Sequence, residues 1–325
     1  MVEIIDTHAH LWSDDYLKRL EDLGAQGVAI AKGMGAGSSP EELEKRFTMM
    51  DQAGVDVQVL SATPQSPQFG NPEEALSSAQ LINDHYKDLI HAYPQRFKAY
   101  GAVPLPYVDE AIKEGRRVVE DLGFLGIAVN TVYETGQSIA DQAFLPFFEA
   151  MDALKAVIYI HPTGMGALSS LVQDYEQTWV VGAPIEDLLA TLHLLRANYA
   201  QRFPHLKFHI AHLGGGISFQ MQRILDNYED WDSFDHNPLK TLQEHFWFDT
   251  ANFLEASLLH SHQILGKHRL LAGSDFPYFQ DEKYSRAISY IQKADLSEQD
   301  KRLILSQNAL ELYQNRWWGL CFIFE

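Results

Sequence analysis

Two histidines stand two residues apart near the start of the chain, His8 and His10, where the apolar run 3–8 ends. On a strand, residues i and i+2 point to the same side, so both imidazoles can reach one point. Neutral imidazole is the commonest metal ligand in proteins. A bare His-x-His fits surface or capping histidines equally well, so its position has to decide. Three more apolar runs end in kind. Run 157–161 ends in His161. Run 207–212 ends in His212, followed by Leu213 and Gly214-Gly215-Gly216. Run 270–274 is followed by Asp275. A lone histidine at a strand end is more often structural. Four such ends together are far more specific, and they point to a divalent metal with a histidine and a carboxylate beside it.

These residues need elements that bring them to one place. Eight short runs rich in β-branched and apolar residues recur: 3–8, 55–62, 97–103, 126–130, 157–161, 207–212, 246–250 and 270–274. Continuous apolar runs of this kind read as buried parallel strands. Helical patterns fall between them. Ser39-Pro40-Glu41-Glu42 is a capping box with proline at the first helical position, opening a helix to about Ala53. Asn71-Pro72-Glu73-Glu74 repeats the device before a helix ending near Tyr93, and Ser297 opens a late one. Gly54 and Gly123 stand where helices should stop. Eight strands alternating with helices predict an α/β fold, a (β/α)8 TIM barrel, with a doubly wound sheet as the competitor. Long connections follow strand 1 (residues 11–38) and strand 5 (residues 162–183). Loops after barrel strands lie at the catalytic face, so these are candidate lid and pocket walls. The glycine-rich stretch 32–37 lacks the Gly-Lys-Ser/Thr ending of a phosphate loop.

Composition narrows the partners. The formal net charge of −19 disfavours nucleic acid and anionic membrane surfaces. The single cysteine, Cys321, excludes an intrachain disulfide and a cysteine-based zinc site. No signal-peptide pattern and no membrane-length apolar run is present, so a cytoplasmic enzyme is expected.

The same residues carry a family resemblance. His8 and His10 on strand 1, His161 on 5, His212 on 6 and Asp275 on 8 resemble the amidohydrolase superfamily. Arg46-Phe47-Thr48-Met49-Met50-Asp51-Gln52-Ala53-Gly54-Val55-Asp56 with Val59-Leu60-Ser61 resembles its aminocarboxymuconate-semialdehyde decarboxylase branch. So do His161-Pro162, Gly214-Gly215-Gly216, Asp249-Thr250-Ala251 and Gly273-Ser274-Asp275-Phe276-Pro277. The resemblance spans Ile4 to about Tyr313. It implies that His8, His10, His161 and Asp275 bind metal and that His212 and Asp275 are catalytic. Binuclear relatives carry a lysine at the end of strand 4, where Asn130 and Thr131 stand here, so one ion is expected. Three histidines and one aspartate suit Zn2+ first and Mn2+ second.

The implied reaction is decarboxylation of a small unsaturated or aromatic carboxylic acid. A hydrolase of a lactone or amide, using metal-activated water, and a non-catalytic binding barrel are the alternatives. Arg223 matches an arginine that decarboxylases of the branch lend to a neighbouring subunit, which implies a homodimer; a surface salt bridge with Asp226 or Glu229 is the plainer reading. Trp12 and Trp179 could stack on a flat substrate or simply pack. Two departures from the branch stand out. Residues 20–45 contain no arginine to grip a substrate, and Thr163 follows Pro162 where tryptophan is common. Residues 1–313 are read as one barrel domain and 314–325 as an apolar tail of unassigned role. The remaining histidines, His209 among them, are read as lying in helices, turns or outward strand positions, or as lacking a partner pattern.

Overall fold

The computed structural model describes residues 3–164, 166 and 169–318. Eight strands follow one another around a single sheet: β1 (Ile5–His10), β2 (Val57–Ser61), β3 (Phe97–Ala102), β4 (Gly126–Asn130), β5 (Val157–His161), β6 (Lys207–Ile210), β7 (Phe246–Asp249) and β8 (Leu270–Leu271). Each pairs in parallel with the next. The first and last regions close the ring. Thr7 N donates to Ala272 O at 2.9 Å, Asp275 N to His8 O at 2.9 Å and His10 N to Phe276 O at 2.7 Å. Helices alternate with the strands, giving the (β/α)8 barrel and setting aside the doubly wound sheet.

Strands β4 and β5 match the expected runs; β2, β3 and β7 are shorter by one to three residues, and β1, β6 and β8 differ for a reason at the site. β1 starts two residues later and continues through His10, because the backbone of His8 and His10 pairs with the segment after β8. β6 ends at Ile210 and β8 at Leu271. Beyond those points the chain bends sharply, and His212 (φ 52°) and Asp275 (φ 56°) take left-handed backbone conformations. Such conformations are strained for residues with a Cβ and recur at functional sites.

The helix signals hold. Helix Pro40–Ala53 has its capping box on Ser39 and Glu42 and stops at left-handed Gly54 (φ 73°). Helix Pro72–Ala92 has the matching box on Asn71 and Glu74. The long connection after β1 holds two short helices, Asp14–Asp22 and Val28–Lys32.

Inside the barrel, Ile5, Val59, Tyr100, Tyr159, Trp247 and Leu271 are buried together. Tyr313 and Trp317 belong to the same cluster and stack at 6.0 Å between ring centres. They sit under the strand starts: Lys98, early in β3, lies over the Trp317 ring, and Lys207, first in β6, donates to Leu312 O. The start of the apolar tail thus covers the barrel floor, opposite the strand ends that carry His8, His161 and Asp275. Cys321 and the rest of 319–325 lie outside the described residues.

Arg46 ties the first helix of the barrel to the site. It is 1% exposed and donates to Gln58 Oε1 at 3.1 Å and His10 O at 2.9 Å. Gln58 in turn donates to the buried Asp6 at 3.1 Å.

Candidate metal and catalytic site

The strand ends bring the expected residues together. His8 Nε2 lies 3.2 Å from His10 Nε2 and 3.2 Å from Asp275 Oδ1. His10 Nε2 lies 3.3 Å from the same oxygen. Ligand atoms of His8, His161, His212 and Asp275 all fall within 4.8 Å of one another. The convergence therefore includes His212 as well as the four expected ligands.

Whether this arrangement suits a cation is decided by the far side of each ring. His8 Nδ1 faces Asp249 Oδ2 at 2.9 Å, and His10 Nδ1 faces Ser61 Oγ at 2.9 Å. His161 Nδ1 faces Pro162 O at 2.7 Å, and His212 Nδ1 faces Asp187 Oδ2 at 2.9 Å. Each outer nitrogen has an acceptor for its N–H, so in the neutral ring the inner Nε2 carries the lone pair. This is the support that metal-ligating histidines use. His161 Nε2 is buried with no hydrogen-bond partner among the described residues. Asp187, Asp249 and Asp275 form no ion pair with any lysine or arginine among the described residues. Inward lone pairs and buried carboxylates without a fixed cation fit one divalent ion.

Without that ion the charges sort unevenly. Burial alone would lower His8, yet Asp249 and Asp275 outweigh it and push its pKa up to about 9. Burial lowers His10 to about 4, against its hydrogen bond to Asp275. Burial likewise holds His161 well below its ordinary range. His212 is held well above its ordinary value because Asp187 and Asp275 together outweigh its burial. Burial raises Asp187 to about 7.

His212 is set apart by its setting. Its Nδ1 touches Asp187, its Nε2 lies 3.4 Å from Asp275 Oδ2, and its backbone N–H donates to Asp249 Oδ1 at 3.1 Å. The glycine triplet after it has a steric cause. A Cβ on Gly215 (φ 59°) would lie 1.8 Å from Pro184 O. The turn after β6 is pressed onto helix Ala183–Arg196, which carries Asp187.

The substrate-wall candidates separate. Trp12 is buried, stacks on the His10 ring at 5.6 Å and donates to Ala62 O. Trp179 is 53% exposed and faces Tyr278 at 6.4 Å, and Tyr278 meets His10 at 5.8 Å. Arg223 is exposed on helix Met221–Trp231 and forms no ion pair with Asp226 or Glu229.

Four further residues were not assigned roles from the sequence. Asp249 ends β7, a fifth acidic or histidine strand end that lay inside a quoted motif. Asp187 carries no spacing signal. His209 is fully buried, 3.2 Å from Asp249 Oδ2 through Nε2, so the outward reading of this residue is corrected: on β6 it faces the barrel interior. Asn130 pairs in register with His161, so both side chains share the barrel face. Its Oδ1 accepts from Ser66 Oγ at 2.9 Å, and its buried Nδ2 has no partner among the described residues.

A model of the family described as amidohydrolase matches residues 5–314. The chain belongs to this amidohydrolase family. It is 29% identical over 330 residues to 2-amino-3-carboxymuconate-6-semialdehyde decarboxylase of Dictyostelium discoideum, covering 94% of this chain and 90% of the relative. It is 27% identical over 289 residues to gamma-resorcylate decarboxylase of a Polaromonas species, covering 83% and 87%. The solved dihydroxybenzoic acid decarboxylase of Polaromonas, which holds manganese and the inhibitor 2-nitroresorcinol, shares the fold. Its TM-score is 0.82 at 22% identity, with 96% of this chain and 97% of that one covered. No helix among the described residues is long and apolar enough to cross a membrane.

Proposed function

We propose that this chain is a metal-dependent decarboxylase of a small aromatic or unsaturated carboxylic acid. The observation that carries the reading is the meeting of His8, His10, His161 and Asp275 beside His212, itself set between two carboxylates. The two curated relatives are both decarboxylases over most of their length, which supports loss of CO2 over hydrolysis of a lactone or amide.

His8, His10, His161 and Asp275 would hold one divalent ion. When bound, such an ion binds a substrate oxygen and draws electron density from the reacting carbon. Zn2+ suits the donor set, and the manganese in the Polaromonas structure supports Mn2+ beside it. The chain's own residues supply the proton. His212 gives a proton to the substrate carbon that bears the carboxylate. The carbon–carboxylate bond then breaks, CO2 leaves, and the bonding pair restores conjugation. Asp187 fixes the His212 ring and stabilises its charged form. The buried Nδ2 of Asn130 offers a donor to a substrate oxygen, and Trp12, Tyr278 and Trp179 form an aromatic wall.

The chain works as a homodimer in this reading, with Arg223 lent to the neighbouring site. Its guanidinium is exposed and without an ion-pair partner among the described residues, which supports that role, and arginine pairs carboxylates in a bidentate manner. Residues 1–313 form the barrel domain, and one cysteine fits a reducing cytoplasm.

The test is a screen of carboxylic acids, 2,6-dihydroxybenzoate included, for CO2 release by Zn2+- or Mn2+-loaded protein. His212→Ala is the control. CO2 release that depends on metal and on His212 supports the reading. Products heavier than substrate by one water would replace it with hydrolysis. Absence of any bound divalent ion after reconstitution would remove the metal assignment.

A further inference from the structure

Below the site, a polar chain runs through the aromatic interior of the barrel. Tyr313 OH lies 2.6 Å from Tyr100 OH, and Tyr100 OH lies 2.9 Å from His209 Nδ1. His209 Nε2 lies 3.2 Å from Asp249 Oδ2 as a charge contact outside hydrogen-bond geometry, and His8 Nδ1 lies 2.9 Å from that same oxygen. All five residues are buried. The chain joins the floor of the barrel, where Tyr313 stacks on Trp317, to the imidazole that opens the metal site.

The donors fix its direction. Asp249 Oδ1 accepts the backbone N–H groups of His212 and Ala251, each at 3.1 Å. Its Oδ2 faces two imidazole nitrogens. A carboxyl so surrounded by N–H groups acts as acceptor only. His8 therefore presents Nδ1–H and His209 presents Nε2–H. His209 packs 4.5 Å from the Tyr159 ring centre, and burial disfavours its charged form. Neutral imidazole has one N–H, so His209 Nδ1 must accept from Tyr100. The Tyr100 oxygen then accepts from Tyr313.

We propose that Tyr313, Tyr100 and His209 form a polar relay of fixed direction, two hydrogen bonds and a charge contact, that ends on Asp249 and holds His8 in its Nδ1–H form. These are positioning residues: none touches the metal or substrate. Its consequence, that the floor of the barrel sets the donor strength of His8, rests on the metal-site reading. Its direction rests on the contact geometry and on the burial of His209.

Protein carrying 15N-labelled histidine tests the direction without metal or substrate. Long-range 1H–15N spectra are expected to show His209 with a bare Nδ1 and a protonated Nε2, and His8 with a protonated Nδ1. A His209 ring protonated at Nδ1, or at both nitrogens, overturns the proposal. His209→Gln assigns the signals. Tyr100→Phe then tests the consequence. It is expected to shift the His209 Nδ1 resonance toward a nitrogen without a donor and to weaken Mn2+ binding by about 3- to 10-fold. That is below the ~10- to 100-fold typical for a direct partner of a ligand. Tyr313→Phe should move both readouts the same way by less. A shifted His209 signal with unchanged Mn2+ affinity would show that the relay stops short of His8, overturning its role. A failure to decarboxylate any acid would leave all of these readouts intact, so the two readings fail separately.

Discussion

Asp187 and His212, 25 residues apart, meet at 2.9 Å through Oδ2 and Nδ1, and Asp275 Oδ2 stands 3.4 Å from the other ring nitrogen. The ring is held on both sides by carboxylates, as a group that carries a proton to substrate requires. Replacing His212 with Asn is expected to lower kcat by about 10²- to 10⁴-fold, the usual weight of acid–base catalysis. Asp187→Asn keeps an acceptor for Nδ1–H but removes the charge, so its loss should fall near ~10²-fold. Steady-state CO2 release with metal content measured in parallel checks both. Equal kcat for Asp187→Asn and the parent would remove Asp187 from the mechanism.

Asp249 supports His8 from behind the metal site, with Oδ2 2.9 Å from Nδ1. An asparagine there has one oxygen and one NH2 group, so it cannot both accept the His212 and Ala251 N–H groups and face the two imidazoles with an acceptor. Asp249→Asn is therefore expected to weaken Mn2+ binding by about 10- to 100-fold. Titration of Mn2+ followed by electron paramagnetic resonance of the free ion reads this directly. Unchanged affinity would show that the His8 ring is held by packing alone.

Arg46 is a buried guanidinium that forms no ion pair among the described residues; it donates to Gln58 Oε1 and His10 O and lies 4.3 Å over the Phe276 ring. Its burial pushes its pKa down to about 10. Arg46→Met leaves two buried acceptors without donors, a loss of about 3 kcal/mol at roughly 1–3 kcal/mol each. Denaturant unfolding should show a lower midpoint at constant slope. A midpoint equal to the parent would mean that these acceptors find other donors.

Gly215 has both a positive φ and a neighbour where its Cβ would be. Gly215→Ala must either move helix Ala183–Arg196 or unwind the turn after His212. The expected cost is about 3 kcal/mol, from left-handed strain of ~1–2 kcal/mol and overpacking of ~1–3 kcal/mol. Because the displaced helix carries Asp187, kcat should fall as well as thermal stability. Lost stability with full kcat would separate the turn from the His212 contact.

Much of this site could be read from residue type and position. His8, His10, His161 and Asp275 each follow an apolar run, and in a parallel barrel every strand delivers its end to the same face. The strand count and the capping boxes at Ser39 and Asn71 are local patterns whose physics lies within a few residues, so sequence sufficed for them.

What tertiary structure decided is everything that depends on two elements meeting. The sequence set His209 aside as outward-facing, yet the pleat turns it inward to Asp249 and Tyr100. No spacing links Asp187 to His212 or Tyr313 to Tyr100; the barrel closes those distances. The strand ends at Ile210 and Leu271 likewise follow from left-handed turns that press Gly215 against Pro184 and aim Asp275 at four imidazoles. The sequence by itself determined the ligand types and the architecture that gathers them. Folding decided which nitrogen of each histidine faces inward, because that depends on the acceptor packed behind each ring.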